Sequence, residues 1–475
     1  MTYDYAVIGG GVIGSAIFNK LVRVGKSCVM LEKNNDVSVG VSKANSGIVH
    51  AGFDAPQNSL KAKLNVLGNK MMPKLCEELK VRYKEIGALV VADNNAEIKK
   101  LYENGLANGV SGLEIIDNEK LRLLVPKLSN KMTCALYAKN SGIILPYELT
   151  IALAEEGVIN GGVVELEFEV VKVTRKNNTF SLFSEDGKQV NANYVINASG
   201  MYFNNVSKIL NAEIYKIIYR KGEYFLLDKC ETNLTKHTIF PLPSKISKGV
   251  LVTPTIDGNI LIGPNSIQKE DYNPETSMVG LKEVKNNAIK NFPNIAFNKN
   301  IRNFAGVRTI IGDDFVIEKS KLQTNLINIA GICSPGLSAS PAIAEMVVRD
   351  LLEIKTPERT MIPRKKIETI NNKSLEEVNK LIKKDSNYGV IVCRCEQVSL
   401  AEIIQALNSP LKPRSIDAIK RRTRAGMGRC QGSYCLNSVL KTIAIEKNIP
   451  IETVTKENKG SEIIIGNIKE IGGDN

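Results

Sequence analysis

Apolar positions along this chain change period from segment to segment, and those changes outline an alternating α/β protein. Tyr3-Asp4-Tyr5-Ala6-Val7-Ile8 is a short, nearly continuous apolar run, the pattern of a strand covered on both faces. It passes into Gly9-Gly10-Gly11-Val12-Ile13-Gly14 and then into an apolar helix that reaches Leu21. A second apolar strand, Cys28-Val29-Met30-Leu31, ends on Glu32. From Phe168 to Gly200 the pattern predicts three strands, divided by polar turns at Lys176-Asn177-Asn178 and Glu185-Asp186-Gly187. The last of them, Tyr194-Val195-Ile196-Asn197, runs out into the small residues Ala198-Ser199-Gly200. Gly249 to Pro254 and Asn259 to Gly263 flank Asp257-Gly258 and predict a hairpin. Asn328-Ile329-Ala330-Gly331 reads as a strand end, with a helix expected to start near Pro341, and Leu375–Lys384 has helical spacing. No internal repeat or low-complexity tract interrupts the series.

The first strand, helix and second strand set G-x-G-x-x-G in a βαβ unit with an acid behind it. Gly9 allows the tight turn, Gly11 lets backbone approach a pyrophosphate, and Gly14 permits close helix–strand packing. The helix N-terminus favours the phosphates, and Glu32 can accept hydrogen bonds from ribose hydroxyls. A dinucleotide is therefore expected here. Because the fingerprint does not recur, a separate NAD(P)H domain is not expected.

Composition changes this picture little. The 475 residues leave room for about three domains, and 43% hydrophobic with 24% charged residues describes an ordinary globular protein. The nine cysteines read as ligands and buried thiols rather than disulfides, and with no apolar membrane span or leader in view, cytoplasmic residence is expected. The formal charge of +13 raises the question of partners. Nucleic acid is not expected: aromatics are 5%, Trp is absent, and no nucleic-acid motif occurs. The dense basic run Lys420-Arg421-Arg422-Thr423-Arg424 is a candidate face for an acidic electron-accepting protein.

Near the C-terminal end, Cys393-Arg394-Cys395 and Cys430-x4-Cys435 are the one grouping of thiols in the chain. Two close pairs suit a tetrathiolate centre; iron–sulfur, zinc and unmetallated thiols all stand open on spacing alone. Gly428-Arg429-Cys430-Gln431-Gly432-Ser433-Tyr434-Cys435 is a Gly-rich turn that brings backbone N–H groups close to sulfur. With Thr423-Arg424-Ala425-Gly426-Met427 before it, the segment resembles the [2Fe-2S] domain of bacterioferritin-associated ferredoxins. That resemblance implies a [2Fe-2S] cluster on Cys393, Cys395, Cys430 and Cys435, and one-electron transfer.

The strand ending at Gly200 and the segment Ile332-Cys333-Ser334-Pro335-Gly336-Leu337-Ser338 resemble later FAD-contacting segments of the glutathione-reductase-like flavoproteins. FAD is then the expected dinucleotide, with the helix near Pro341 aimed at the flavin. The expected architecture is an α/β glutathione-reductase-like FAD-binding domain, an inserted mixed α+β substrate domain, and a small C-terminal iron–sulfur domain. FAD-binding parts are expected at 1–80, 145–210 and 319–353, and substrate-domain parts at 81–144 and 211–318. A linker at 354–388, the ferredoxin-like domain at 389–450 and a tail at 451–475 complete the expected order.

The chain has two histidines, and His50 lies in a loop rich in small polar residues where the chain should turn toward a cofactor. Imidazole is suited to taking a hydroxyl proton at neutral pH as hydride leaves an alcohol. His237 carries no motif and is expected to be structural. Ser46-Gly47-Ile48-Val49-His50-Ala51-Gly52 with Leu60-Lys61-Ala62-Lys63, Lys248-Gly249-Val250, Phe304-Ala305-Gly306-Val307-Arg308 and Ser334-Pro335-Gly336-Leu337-Ser338 occur in one order. Together they resemble the flavin-dependent glycerol-3-phosphate dehydrogenases and oxidases of the D-amino-acid-oxidase-like superfamily. With the tail, the whole resembles the anaerobic catalytic-subunit type. The resemblance implies His50 as base, Ser46, Lys248, Arg308 and Ser334 on the substrate, and Glu32, Ser42, Val170 and Ser338 on FAD. It further implies a small anionic substrate, an electron-accepting partner protein, and membrane association only through such a partner. A guanidinium with an ammonium suits a phosphomonoester. An L-2-hydroxy acid or an amino or imino acid dehydrogenase is an alternative, since a carboxylate could also sit on Arg308. So is an electron-transfer subunit reduced by its partner.

Overall fold

The structure is a computed structural model and describes residues 1–243 and 249–466. Its contacts divide the chain into two units, one of Met1–Glu32 with Val37–Pro363, the other of Lys33–Asp36 with the chain from Arg364 onwards.

The first unit holds two large sheets. In one, Thr2–Ile8 lies between Gln189–Asn197 and Cys28–Leu31, parallel to both, and Cys28–Leu31 pairs in turn with Val163–Glu165. The antiparallel strands Val170–Lys176 and Thr179–Ser184 extend one side, and Leu326–Ala330 joins Gln189–Asn197 in parallel. The predicted three-strand reading of 168–200 is thus observed, with Lys176 to Thr179 and Ser184 to Gln189 as its turns. Ala6, Ile8, Val29, Leu31, Phe180 and Leu182 make one apolar layer of this sheet. Both faces of the central strands are closed to water, which is why those strands read as unbroken apolar runs.

The second sheet is the inserted α+β part. Its order is Ile267–Lys269, Ile218–Leu227, Ile260–Gly263, Leu251–Pro254, Thr238–Pro241, Ala88–Ala92, Cys134–Ala138 and Leu113–Ile116. The long strand Asn300–Ile310 runs antiparallel to Ile218–Leu227 along almost its whole length. The predicted hairpin is present, Leu251–Pro254 against Ile260–Gly263, with Gly258 at φ +88° in the turn. A smaller antiparallel sheet pairs Gly142–Ile144 with both Ile48–Val49 and Tyr83–Glu85.

One sequence expectation needs correcting. The helix expected near Pro341 begins at Gly336 and runs to Met346, with Pro341 inside it. Proline cannot donate to the carbonyl one turn earlier. Here Ser340 Oγ donates to that carbonyl, Leu337 O, at 2.9 Å, so the helix continues through the ring.

The second unit is a short antiparallel pair, Ile391–Cys393 with Val398–Ser399, packed with helices Leu400–Leu407, Ile416–Thr423 and Leu436–Lys447. Its core includes Ile403, Leu407, Ile419, Val439, Leu440 and Ile443. The helix Leu375–Lys384 forms as predicted, started by a capping box between Ser374 and Glu377. Contacts draw parts of the expected linker and tail inward: Ile370, Leu381 and Tyr388 cluster with Ala401, and Val454 is buried in the core. Among the described residues no helix is long and apolar enough to cross a membrane.

The second unit also explains the basic run. Asp36 is fully buried and accepts from Arg421 at 2.9 Å and from Arg422 at 2.8 and 2.9 Å. Arg421 also reaches Glu457 at 2.6 Å, and Arg424 reaches Glu396 at 2.8 Å. The run expected to face a partner is therefore largely turned into ion pairs. Burial would raise the Asp36 carboxyl, but Arg422 and Arg421 outweigh it and hold it down to about 2. A carboxyl depressed in the folded state stabilises above its unfolded value and loses that contribution as pH falls. Asp36→Asn is expected to cost the second unit about 3–5 kcal/mol by removing the buried carboxylate that Arg421 and Arg422 share. Urea unfolding followed by the visible absorbance of the tail checks this, and the acid limb between pH 3.8 and about 2 should be weaker in the variant.

Candidate active site and thiol centre

The dinucleotide cradle is built from backbone. The strand Thr2–Ile8 ends at Gly9, whose φ of +112° suits only glycine, and Gly9 N–H donates to Leu31 O at 2.9 Å. A Cβ on Gly14 would stand 1.9 Å from Gly9 O, so the helix Val12–Arg23 can leave the strand at this angle only with hydrogen there. Ser42 Oγ accepts the Val12 N–H at 2.8 Å and would lie 3.2 Å from a Cβ on Gly11. Glu32 is buried, and its Oε2 takes the Gly10 N–H at 2.6 Å. The Glu32 carboxylate is thus tied to the glycine turn itself, beside the ribose-binding role expected of it. The Glu32 carbonyl accepts Phe168 N–H at 2.9 Å, and the buried Val170 opens the next strand. Gly9, Gly11 and Gly14 thus shape the turn from strand to helix, with Glu32 and Ser42 bonded to its backbone N–H groups and Val170 opening the strand that follows Phe168, an arrangement that fits a dinucleotide such as FAD.

His50 follows directly on the strand Ile48–Val49 and is buried. Its backbone N–H donates to Ser338 Oγ at 2.8 Å, and Ser338 Oγ donates to Ile48 O at 3.3 Å. Ser338, on the third residue of the helix Gly336–Met346, therefore clamps the His50 backbone. Asn69 Nδ2 donates to His50 O at 3.1 Å. The imidazole lies 5.6 Å from the Phe240 ring, tilted by 38°. Phe240 is on the strand Thr238–Pro241; Lys248 falls outside the described residues.

The paired strands Ile218–Leu227 and Asn300–Ile310 supply a second wall. Arg220 stands opposite Arg308, Gly222 opposite Gly306, and Tyr224 opposite Phe304, all on one face. Tyr224 and Phe304 stack at 4.7 Å. A Cβ on Gly306 would stand 2.0 Å from Ala44 O, so this strand meets the Ser42–Ser46 turn backbone to backbone. Tyr224 is buried and its hydroxyl hydrogen-bonds the Ser46 side chain. Burial raises the phenol above its ordinary value against the pull of Arg308 and the Ser46 bond, so it is neutral at physiological pH. Arg308 is half-buried and donates to Asn265 O at 3.4 Å. The contacts thus join Ser46 with Tyr224 and Arg308, and His50 with Ser338 and Phe240. Ser334 is half-buried in the loop just before the helix Gly336–Met346, and no described contact ties its side chain to either group.

Tyr224, Phe240 and Arg220 were not anticipated. The signal for the first and last was the alternation Arg220-x-Gly222-x-Tyr224, which mirrors Phe304-x-Gly306-x-Arg308 once the two strands are paired. His237 is structural as expected: its Nδ1 meets Ile86 O, its ring lies 5.7 Å from Tyr137, and burial lowers its pKa.

In the second unit the four thiols gather as two pairs across the loops. Cys395 Sγ lies 3.6 Å from Cys430 Sγ, and Cys393 is hydrogen-bonded to Cys435. Among the described residues no three metal-binding side chains converge on one point. Two pairs suit two sulfide-bridged irons better than a single zinc. Cys393 and Cys435 are buried, Cys430 is half-buried, and Cys395 is exposed. Backbone N–H groups of Gly426 and Glu396 point at Cys393, and those of Gly432 and Tyr434 at Cys430. The hydrogen bond from Cys435, with burial opposing it, brings Cys393 down to about 6. Cys430 is lowered as well, by the N–H groups of Gly432 and Tyr434, whereas the bond to Cys393 and burial push Cys435 up and burial raises Cys395.

Comparison with known proteins agrees with this geometry. Residues 4–349 match the family described as FAD dependent oxidoreductase, and residues 391–444 match the BFD-like [2Fe-2S] binding domain. A glycerol 3-phosphate dehydrogenase of Caloramator mitchellensis is 42% identical over 98% of this chain and 99% of its own length. A glycerol 3-phosphate oxidase of Mycoplasma genitalium is 33% identical over 74% of this chain and 95% of its own. The structure of dithionite-reduced L-alpha-glycerophosphate oxidase from Mycoplasma pneumoniae with FAD bound superposes with a TM-score of 0.71. It is 27% identical and covers 76% of this chain and 97% of its own. The chain belongs to the FAD dependent oxidoreductase family, on its glycerol 3-phosphate dehydrogenase side, and carries a BFD-like [2Fe-2S] binding domain C-terminal to that part.

Proposed function

We propose that this protein oxidises glycerol 3-phosphate to dihydroxyacetone phosphate, with His50 as base and the electrons leaving one at a time through the thiol centre. The observation that supports it most directly is the grouping of Ser46, the Tyr224 hydroxyl and Arg308 on the wall that meets the Ser42–Ser46 turn. FAD supplies a hydride acceptor, and the [2Fe-2S] cluster a one-electron outlet.

The residues divide the work. Arg308 and Lys248 hold the phosphate, a guanidinium fork and an ammonium against a nearly dianionic group. Ser46 and Ser334 add neutral donors, and Tyr224 orients Ser46 without adding a charge. His50 accepts the proton from the hydroxyl oxygen as the C2–H bond breaks, so the oxygen loses a proton, the carbon loses a hydride, and a ketone results. The Ser338 and Asn69 hydrogen bonds to the His50 backbone keep the imidazole from drifting off that line. Glu32, Ser42, Val170 and the glycines Gly9, Gly11 and Gly14 hold FAD, and Cys393, Cys395, Cys430 and Cys435 hold the cluster. Electrons pass on to a partner protein; cytoplasmic residence, with any membrane contact through that partner, is part of the same reading.

The deciding experiment is anaerobic flavin bleaching by glycerol 3-phosphate, L-2-hydroxyglutarate and a panel of amino acids. Bleaching by glycerol 3-phosphate alone is expected; bleaching by a carboxylate substrate instead would transfer Arg308 to a hydroxy or amino acid. His50→Asn should slow substrate bleaching by about 10²- to 10⁴-fold while FAD stays bound. Bleaching at the native rate would remove His50 as base. Arg308→Lys should act mainly on KM for the phosphorylated substrate, by about tenfold or more, since an ammonium cannot replace a bidentate fork. Cys430→Ser should lose the visible cluster spectrum and its iron, and native iron content would rule out this ligand set.

A further inference from the structure

The expected docking face, Lys420 to Arg424, is largely engaged in ion pairs, while the thiol pairing leaves another edge of the second unit exposed. Cys393 and Cys435 lie in the core of the second unit, and Cys395 and Cys430 form the outward pair, 3.6 Å apart. Each outward thiol has a large exposed neighbour. Arg394, between the first two cysteines, is exposed and makes no hydrogen bond or ion pair among the described residues. Tyr434, whose backbone N–H points at the Cys430 sulfur, is 85% exposed. Arg429, just before Cys430, is also exposed. Within 390–397 and 424–435 the single acidic residue is Glu396, buried and held by Arg424 at 2.8 Å. The two segments that carry the outward pair therefore present positive and aromatic side chains and no exposed carboxylate, and Tyr and Arg are the residues that dominate protein contact sites.

We propose that Arg394, Tyr434 and Arg429 form the docking surface for an electron-accepting protein with an acidic face, and that electrons leave through the iron held by Cys395 and Cys430. This rests on the reading of the four thiols as a [2Fe-2S] site. Each glycerol 3-phosphate yields two electrons, and its hydroxyl proton goes to His50. Two one-electron acceptor molecules are therefore reduced in succession at this surface for each substrate oxidised. The chain carries +13 overall, so an acidic protein is attracted to many places on it. Only binding beside the outward pair gives fast transfer.

The test uses FAD- and cluster-loaded full chain and an acidic flavodoxin as the probe. Wild type, Arg394→Glu, Tyr434→Ala and, as a control on the exposed side of the last helix, Lys441→Glu are compared. Binding is measured by fluorescence anisotropy at low and high salt, and stopped-flow records transfer from the dithionite-reduced cluster. Electron paramagnetic resonance checks that the cluster is intact in each. Arg394→Glu is expected to weaken binding and slow transfer by about tenfold or more at low salt, and to flatten the salt dependence. Tyr434→Ala is expected to slow transfer at every salt concentration, with Lys441→Glu and the resonance spectra unchanged. Equal effects of Arg394→Glu and Lys441→Glu, or none from Arg394→Glu and Tyr434→Ala, would overturn the docking surface while leaving the cluster reading intact. A wild type that shows no cluster resonance after iron loading would overturn that reading, and the proposal with it.

Discussion

The backbone contact between Gly306 and Ala44 is the constraint on which the active site depends. A side chain at 306 would drive a Cβ to 2.0 Å from the Ala44 carbonyl oxygen, and the strand or the turn would have to retreat. With hydrogen there, one short turn serves both halves of the first unit. Ser42, at its start, takes the Val12 N–H at the mouth of the dinucleotide helix. Ser46, at its end, meets the Tyr224 hydroxyl on the second sheet. The spacing between Ser42 and Ser46, the proposed cofactor and substrate groups, is then set by rigid backbone, as near-attack geometry would require.

Charge is arranged sparingly around that turn. Arg308 and Arg220 lie directly across the paired strands, and like charges placed so repel. An anion bound between them would convert that repulsion into affinity. Tyr224 serves the same end by remaining uncharged: burial keeps its proton on, so it can orient Ser46 without competing for the guanidinium. A carboxylate at position 224 would hold Ser46 as well but would take Arg308 for itself.

Some of this was legible in the sequence. The glycine fingerprint could be read because it is local: strand, turn, helix and acid lie within one stretch, and each glycine answers a steric demand inside it. The hairpin at Asp257-Gly258 and the helix Leu375–Lys384 were legible for the same reason. Tyr224 was not, because its role arises only when two strands far apart in the chain come into register. The Lys420–Arg424 run misled in the same way. It looks like a solvated basic face until Asp36, distant in sequence, is folded against it. The start of the helix near Ser338 was misplaced because a proline is ordinarily a boundary, and Ser340 removes the unsatisfied carbonyl that makes it one.

The thiol centre follows a different logic from the flavin cradle. Each pair takes one cysteine from the hairpin and one from the segment before the last helix, so ligation by the four thiols would add a covalent tie between segments already joined by the Arg424–Glu396 ion pair and the Gly426 N–H to Cys393. The inner pair, Cys393 and Cys435, is part of the apolar core, so with these thiols as ligands, forming the cluster and forming the core would be one event. The outer pair remains at the surface, and the Gly-rich turn presents N–H groups to Cys430 there without a side chain covering it. A centre wholly inside would be stable and isolated; one wholly outside would exchange electrons readily but add little to folding. With the four thiols read as the cluster's ligands, dividing them between core and surface would let them stabilise the second unit and leave it one exposed edge for the proposed electron transfer.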